Sequence, residues 1–170
     1  ETTNKNNMLP HLRYPAPVEK KTNGKAKELP SNVIIKLKGA GVFGIEIFLT
    51  KDGEILINEI APRVHNSGHH TIEANKTSQF EQHIRAITGM QLGSTEMISP
   101  GVMINILGDH SGKADPKGIE RAEKIPGVKV HIYGKLETRP ERKMGHITAL
   151  GNTIEEAYNK ATKARKLITI

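Results

Sequence analysis

Apolar and polar positions alternate most regularly at residues 45–49. Ile45, Ile47 and Leu49 fall on one side of an extended chain, Glu46 and Phe48 on the other. Lys51-Asp52-Gly53-Glu54 interrupts the run with Asp-Gly at its centre, a hairpin signal, and Ile55, Leu56, Ile57, Asn58, Glu59 and Ile60 read as the return strand. At Ala61 the pattern changes. Residues 61–70 almost lack apolar side chains and read as a polar loop leaving a strand end, where binding groups concentrate. Ser78 and Glu81 form a capping box, which predicts a helix running to Thr88 and ended by Gly89, with Phe80, Ile84 and Ile87 as its buried face.

Upstream, Ala26, Leu29, Val33 and Leu37 recur near the helical repeat, and Pro30 predicts that this helix starts near Ser31 or kinks. Pro10, Pro15 and Pro17 exclude a long helix before residue 25, while Met8, Leu9, Leu12 and Tyr14 allow a short strand. Downstream of a polar linker that ends at Pro100, Val102 to Leu107 is a buried strand closed by Gly108-Asp109. Residues 116–124 read as a short helix, 128–134 as an alternating strand and 146–150 as a returning strand. Thr153 and Glu156 cap a last helix, with Ala157, Ala161, Ala164 and Leu167 on one face and late basic residues suited to its negative end. The expected division is residues 1–97 and 98–170.

Composition narrows the classes. The chain has 170 residues, 36% of them hydrophobic and 4% aromatic, enough for a lean core. No apolar run approaches the ~20 residues that span a bilayer, and no signal peptide opens the chain. Without cysteine there are neither disulfides nor thiolate metal sites, which agrees with a cytoplasmic location. A net charge of +7 admits nucleic acid, but the basic residues are spread and stacking aromatics are scarce, so no nucleic-acid or membrane partner is expected.

Glu46 and Glu59 stand in apolar runs on neighbouring strands, able to approach across the hairpin. Two carboxylates in apolar surroundings repel unless a cation lies between them, and oxygen ligands beside the Asn58 amide suit Mg²⁺. The plainer alternative is a pair of edge-strand glutamates facing water. Residues 39–44 match GxGxxG, but the pattern predicts a helix before them and a strand after, the reverse of a dinucleotide site, so they read as a turn. His65 and His69 have the i, i+4 spacing of helical zinc ligands, yet Asn66-Ser67-Gly68 between them is turn chemistry. Residues 134–146 form a basic loop that by itself is a solvated face.

Two blocks resemble a known family. NEIAPRVHNSGHHT, followed by TSQFEQHIRAITG, and the later GKxxxRPxRKxGH closely resemble the signatures of N5-carboxyaminoimidazole ribonucleotide synthetases, ATP-grasp enzymes of purine synthesis. Fungal bifunctional phosphoribosylaminoimidazole carboxylases carry the same first block. The resemblance implies an α+β fold: the distal part of an ATP-grasp domain with antiparallel sheet, then a small β-rich C-terminal domain closing over the ribonucleotide site. It also implies ATP and Mg²⁺ as cofactors, with 5-aminoimidazole ribonucleotide and bicarbonate as substrates. In the implied reaction bicarbonate attacks the γ-phosphate to give carboxyphosphate, and the substrate amine captures its carboxyl group. Glu46 and Glu59 would hold the metal, with Asn58 and Glu59 at the nucleotide end. Arg63 and His65 match catalytic positions at the bicarbonate end, Asn66 and Ser67 offer further donors, and Lys135 and Arg142 match phosphate-holding positions. Where the family often has a histidine near the start of this region the chain has Asn4, which is given no role; Pro15-Ala16 match a family Pro-Ala.

The family's proteins are longer, so the chain is expected to be the carboxyl-terminal half of such an enzyme, inactive alone and part of a homodimer when complete. Two rival readings stand beside this one: another ATP-grasp ligase of purine synthesis, or a non-catalytic ligand-binding remnant.

Overall fold

The apolar run after Pro100 becomes the central strand of a five-stranded antiparallel sheet in the computed structural model, which describes residues 1–3 and 11–170. Met8, Leu9, Pro10 and Asn4, named above, lie outside the described residues. The sheet order is β1 (Thr2–Thr3), β2 (His11–Tyr14), β5 (Gly101–Leu107), β9 (Lys143–Leu150) and β7 (Val128–Ile132). The register decides what is buried. Val102 pairs with Ala149 and Ile104 with Ile147, and on β7 Val128 and Val130 pair with the same two residues. Alternation therefore puts these side chains on one face, where α5 (Ile154–Arg165) lays Ala157, Ala161 and Ala164 against them and α4 (Ile119–Glu123) adds Ala122. Small residues along α5 let its backbone approach the sheet closely.

The opposite face is buried too, but it is polar. It carries Met103, Asn105, His146 and Thr148, and residues 73–75 lie on this side, with Asn75 Nδ2 donating to the Tyr14 hydroxyl at 3.1 Å. This sheet, its helices, residues Glu1–Ala16 and residues Glu73–Asn75 make one compact unit; Pro17–Ile72 with Lys76–Glu96 make another.

The second unit holds α1 (Lys20–Leu37), the hairpin β3 (Gly44–Leu49) and β4 (Ile55–Ala61), a 3₁₀ turn at Asn66–Gly68, the start of α2 (Thr71–Ala74), and α3 (Gln79–Ile87). Helix α1 does not start near Ser31; it starts at Lys20 and runs through Pro30. Pro30 forgoes one helical N–H, and the Ser31 hydroxyl donates to the Lys27 carbonyl at 2.7 Å beside the gap. The Ser78 cap of α3 forms, with Ser78 Oγ accepting from the Glu81 N–H, while the Glu81 carboxylate takes the Arg85 guanidinium rather than the Ser78 N–H; the buried face does not follow expectation. Phe80, Ile84 and Ile87 are 40%, 54% and 53% exposed, and the buried helix residue is Gln79. The helix turns its polar first residue onto the loop after β4, which leaves the apolar stripe outward.

Two later elements also shift. Helix α4 is shorter than residues 116–124 because Lys117 is extended and exchanges backbone hydrogen bonds with Thr169. Strand β9 begins at Lys143 rather than His146, since pairing with β5 continues to Leu107. No helix among the described residues is long and apolar enough to cross a membrane.

Candidate active site

The β3–β4 hairpin places Glu46 directly opposite Glu59, and the register slips between Glu46 and Ile47. That slip is a β-bulge, in which two residues of one strand oppose one of the other. Strict alternation would send Asn58 to the face opposite Glu59. With the bulge, Asn58 Nδ2 instead reaches Glu46 Oε2 at 3.4 Å, so the amide and the acid pair share one face. The enclosure expected from the flanking isoleucines is absent: Glu46, Asn58 and Glu59 are all exposed. The isoleucines of both strands occupy the half-buried positions, and the acids stand open to a ligand. A pair of carboxylates with an amide oxygen nearby is a hard donor set, and it fits Mg²⁺, which completes its shell with water and phosphate oxygens.

His65 joins this face. Its Nε2 lies 3.8 Å from Glu46 Oε1, too far for a hydrogen bond. Its Nδ1 lies 2.8 Å from Ser67 Oγ and accepts from the Ser67 N–H at 3.4 Å. An acceptor Nδ1 puts the proton of the neutral ring on Nε2, the nitrogen turned toward the acids. The ring fits because residue 44 is glycine: a Cβ there would meet His65 Cβ at 2.4 Å.

One residue that sequence reasoning missed fixes this loop. Gln79 Oε1 accepts from the His65 N–H at 2.9 Å, and its Nε2 donates to the His65 carbonyl at 2.8 Å. The same Nε2 lies 2.8 Å from His69 Nδ1. Gln79 thereby pairs both backbone groups of His65 as a strand neighbour would. Its side chain passes so close to Gly68 that a Cβ there would meet Oε1 at 2.3 Å. A glutamine just inside a helix start is locally unremarkable, and its partners are distant in sequence, so no short-range rule flags it.

The remaining predicted residues of this unit are placed as follows. Arg63 is exposed and turns its Nη1 onto the Val64 carbonyl at 3.0 Å, so its guanidinium is folded on its own strand end. Asn66 opens the 3₁₀ turn. The three loop histidines face different partners: Ser67 for His65, Gln79 and the Phe80 ring for His69, and the Ser67 carbonyl for His70.

In the other unit, the connection between β7 and β9 carries Lys135, Arg139 and Arg142, with Lys143 opening β9 and β8 (Glu137–Thr138) pairing to β6 (Gly112–Lys113). Lys135 Nζ donates to the Lys143 carbonyl and lies 5.8 Å from the centre of the Tyr133 ring. Arg142 Nη1 donates to the Glu137 carbonyl at 2.7 Å. Partial desolvation, reinforced by Arg142, Arg139 and Lys143, pulls the Lys135 pKa below the usual lysine value. A cavity of about 580 Å³ is lined by Ser111, Gly112, Glu137, Thr138, Arg139 and Arg142. Crowded cations beside a cavity are a ready anion site.

Comparison with known proteins finds relatives for both parts of the chain. Residues 1–80 match the ATP-grasp domain family, and residues 101–160 match the phosphoribosylaminoimidazole carboxylase C-terminal domain family. The chain is 44% identical over 162 residues to N5-carboxyaminoimidazole ribonucleotide synthase of Bacillus subtilis, covering 95% of this chain and 42% of that protein. It superposes on the crystal structure of N5-carboxyaminoimidazole ribonucleotide synthetase from Thermotoga maritima with a TM-score of 0.89 at 53% identity, over 94% of this chain and 45% of the other. The Aspergillus clavatus synthase, solved in complex with ADP and 5-aminoimidazole ribonucleotide, gives a TM-score of 0.84 at 36% identity, over 97% of this chain and 45% of the other. The chain thus spans less than half the length of these relatives. Within that span it carries an ATP-grasp portion followed by the C-terminal domain, and it belongs to the N5-carboxyaminoimidazole ribonucleotide synthase family.

Proposed function

We propose that the chain is the distal ATP-grasp portion and C-terminal domain of an enzyme that carboxylates 5-aminoimidazole ribonucleotide with bicarbonate at the expense of ATP. The observation that carries this reading is the pairing of Glu46 with Glu59, with Asn58 and His65 beside them on one open face. Glu46 and Glu59 would hold Mg²⁺, which neutralises phosphate charge when bound. Asn58 and Glu59 belong to the nucleotide end.

The reaction itself asks two things of the protein. A bicarbonate oxygen attacks the γ-phosphorus and ADP leaves, so the oxyanion must be held in line. The substrate amine then attacks the carboxyl carbon of carboxyphosphate, inorganic phosphate leaves, and a proton departs from nitrogen. Arg63 can hold the oxyanion in a bidentate grip once it swings off the Val64 carbonyl. The His65 Nε2–H, fixed by the bonds at Nδ1, can donate to the same oxyanion. Asn66 and Ser67 supply further donors. Arg142, which lines the 580 Å³ cavity, and Lys135 from the same loop hold the non-reacting 5′-phosphate of the ribonucleotide.

We place the functional division at residues 97/98, and take the complete enzyme to be a cytoplasmic homodimer. The reading is tested with the full-length protein by ATP hydrolysis that depends on both bicarbonate and the ribonucleotide, with one carboxylated product per phosphate released. Phosphate release without bicarbonate dependence would favour another ATP-grasp ligase. Binding of the ribonucleotide without turnover would favour a non-catalytic remnant.

A further inference from the structure

One cluster of titratable side chains takes no part in the chemistry above. On the sheet face opposite α5, Asn105, His146 and His131 stand in one row across β5, β9 and β7. His131 Nε2 lies 2.7 Å from Glu73 Oε1. The His131 ring stacks on that of His146, centroids 4.5 Å apart and planes at 20°. His146 Nδ1 shares a hydrogen bond of 2.9 Å with the Tyr133 hydroxyl, and Lys135 Nζ lies 5.8 Å from the Tyr133 ring centre. An unbroken series of contacts therefore runs from Glu73 to Lys135.

The charge state of this series is set at its far end. The Glu73 side chain is 13% exposed, and its Oε2 is buried without a hydrogen-bond partner among the described residues. Its negative charge is thus compensated chiefly at Oε1, which favours an imidazolium at His131. The hydrogen bond that His131 donates to Glu73 raises its pKa, partial burial opposes it, and Glu73 and Glu123 add attraction while Lys129 repels. Glu123 reaches β7 from α4, where its Oε1 accepts from the Val130 N–H at 3.2 Å.

We infer that His131, as the cation of a pair with Glu73, is a positioning residue for Lys135. It stacks on His146, whose Nδ1 shares the hydrogen bond with the Tyr133 hydroxyl, and so steadies the ring over which Lys135 lies. The inference rests on the reading of Lys135 as a phosphate-holding residue. Its pH dependence has a definite sign. Because the pKa in the folded protein lies above the ordinary value of 6.5, the pair is complete below 6.5 and is lost as pH rises through the raised value. The neutral ring can still donate from Nε2, but Glu73 then lacks its counter-ion.

The test compares the full-length enzyme with its Glu73→Gln and His131→Gln variants from about pH 6 to about pH 9. The Gln side chain at 131 keeps a donor near the Nε2 position but no charge. Imidazole nitrogen NMR should show His131 titrating above 6.5 in the parent, and lower in Glu73→Gln. The KM for the ribonucleotide should rise roughly three- to tenfold across that titration in the parent, with KM for ATP unmoved. Both variants should show the raised KM already at the acid end. Ionisation of the substrate phosphate is common to all three proteins, so the difference between profiles reads His131. A parent KM that does not follow the His131 titration overturns the inference. Lys135→Ala separates the two levels: if it raises that KM, the phosphate reading survives and positioning alone fails; if it does not, both fail.

Discussion

The two units of this chain spend their apolar residues differently. In the sheet unit, Val102, Ile106, Met144 and Ile147 are completely buried between β5, β9 and the alanine face of α5. In the hairpin, Ala61 is the buried residue of β3 and β4, while Phe48, Leu49 and Leu56 are 58%, 49% and 49% exposed. Strand alternation produced a core in one case and an open face in the other. The difference lies in what each strand finds beside it: β5 has strand neighbours on both edges and a helix above, whereas β3 and β4 form a two-stranded sheet. A two-stranded ribbon has little stability of its own, so here the shape of the site depends on specific polar contacts more than on packing. Gln79 and the bulge at Asn58 supply such contacts.

That contrast can be broken most severely at the core. Ile147→Ala removes a fully buried side chain and should destabilise the sheet unit by about 2–5 kcal/mol. Phe48→Ala, on the exposed hairpin face, should stay within about 0.5 kcal/mol. Urea midpoints of the full-length protein with either change measure the gap; equal losses would mean that the hairpin is packed as tightly as the sheet.

Next in size is the acid pair. Glu59→Gln keeps shape and removes charge, so kcat should fall about 10²- to 10³-fold and the Mg²⁺ requirement should rise. Near-normal turnover at low Mg²⁺ would make Glu46 and Glu59 two solvated strand residues. A smaller effect should come from Gln79→Ala, which removes two side-chain hydrogen bonds from the His65 backbone, leaving its N–H without that acceptor, at a cost of about 1–3 kcal/mol. Here kcat should fall while the KM for the ribonucleotide holds, because the loop being loosened carries the proposed oxyanion donors Arg63 and His65. An unchanged kcat would show that His65 needs no clasp.

Much of this was legible in the residues. Alternation at Ile45–Leu49, the Asp-Gly turn and the helix caps at Ser78 and Thr153 each act over a few positions, and each appears as read. The pairing of Glu46 with Glu59 also follows from counting outward from the turn, once a bulge is admitted. What could not be read was set by distant partners. The periodicity of Phe80, Ile84 and Ile87 marks an apolar stripe but not what lies against it, and Gln79 rather than that stripe meets the loop. Pro30 signals a lost hydrogen bond, yet one lost bond does not delay the start of an 18-residue helix to Ser31. Glu73 and His131 are far apart in sequence and meet through tertiary packing that no local pattern encodes.

The central claim is that reacting oxyanion and inert phosphate are held by different residues, Arg63 and His65 for one, Lys135 and Arg142 for the other. Steady-state kinetics of Arg63→Ala and Arg142→Ala in the full-length enzyme, with each substrate varied in turn, test it directly. A phosphate that does not react is bound equally in ground and transition states, so Arg142→Ala should raise the KM for the ribonucleotide roughly tenfold to a hundredfold and spare ATP and bicarbonate. An oxyanion whose charge moves during reaction is held most strongly in the transition state, so Arg63→Ala should lower kcat by a similar factor. Weakened ATP with an unaffected ribonucleotide in Arg142→Ala would reverse the two ends of the site and contradict the assignment.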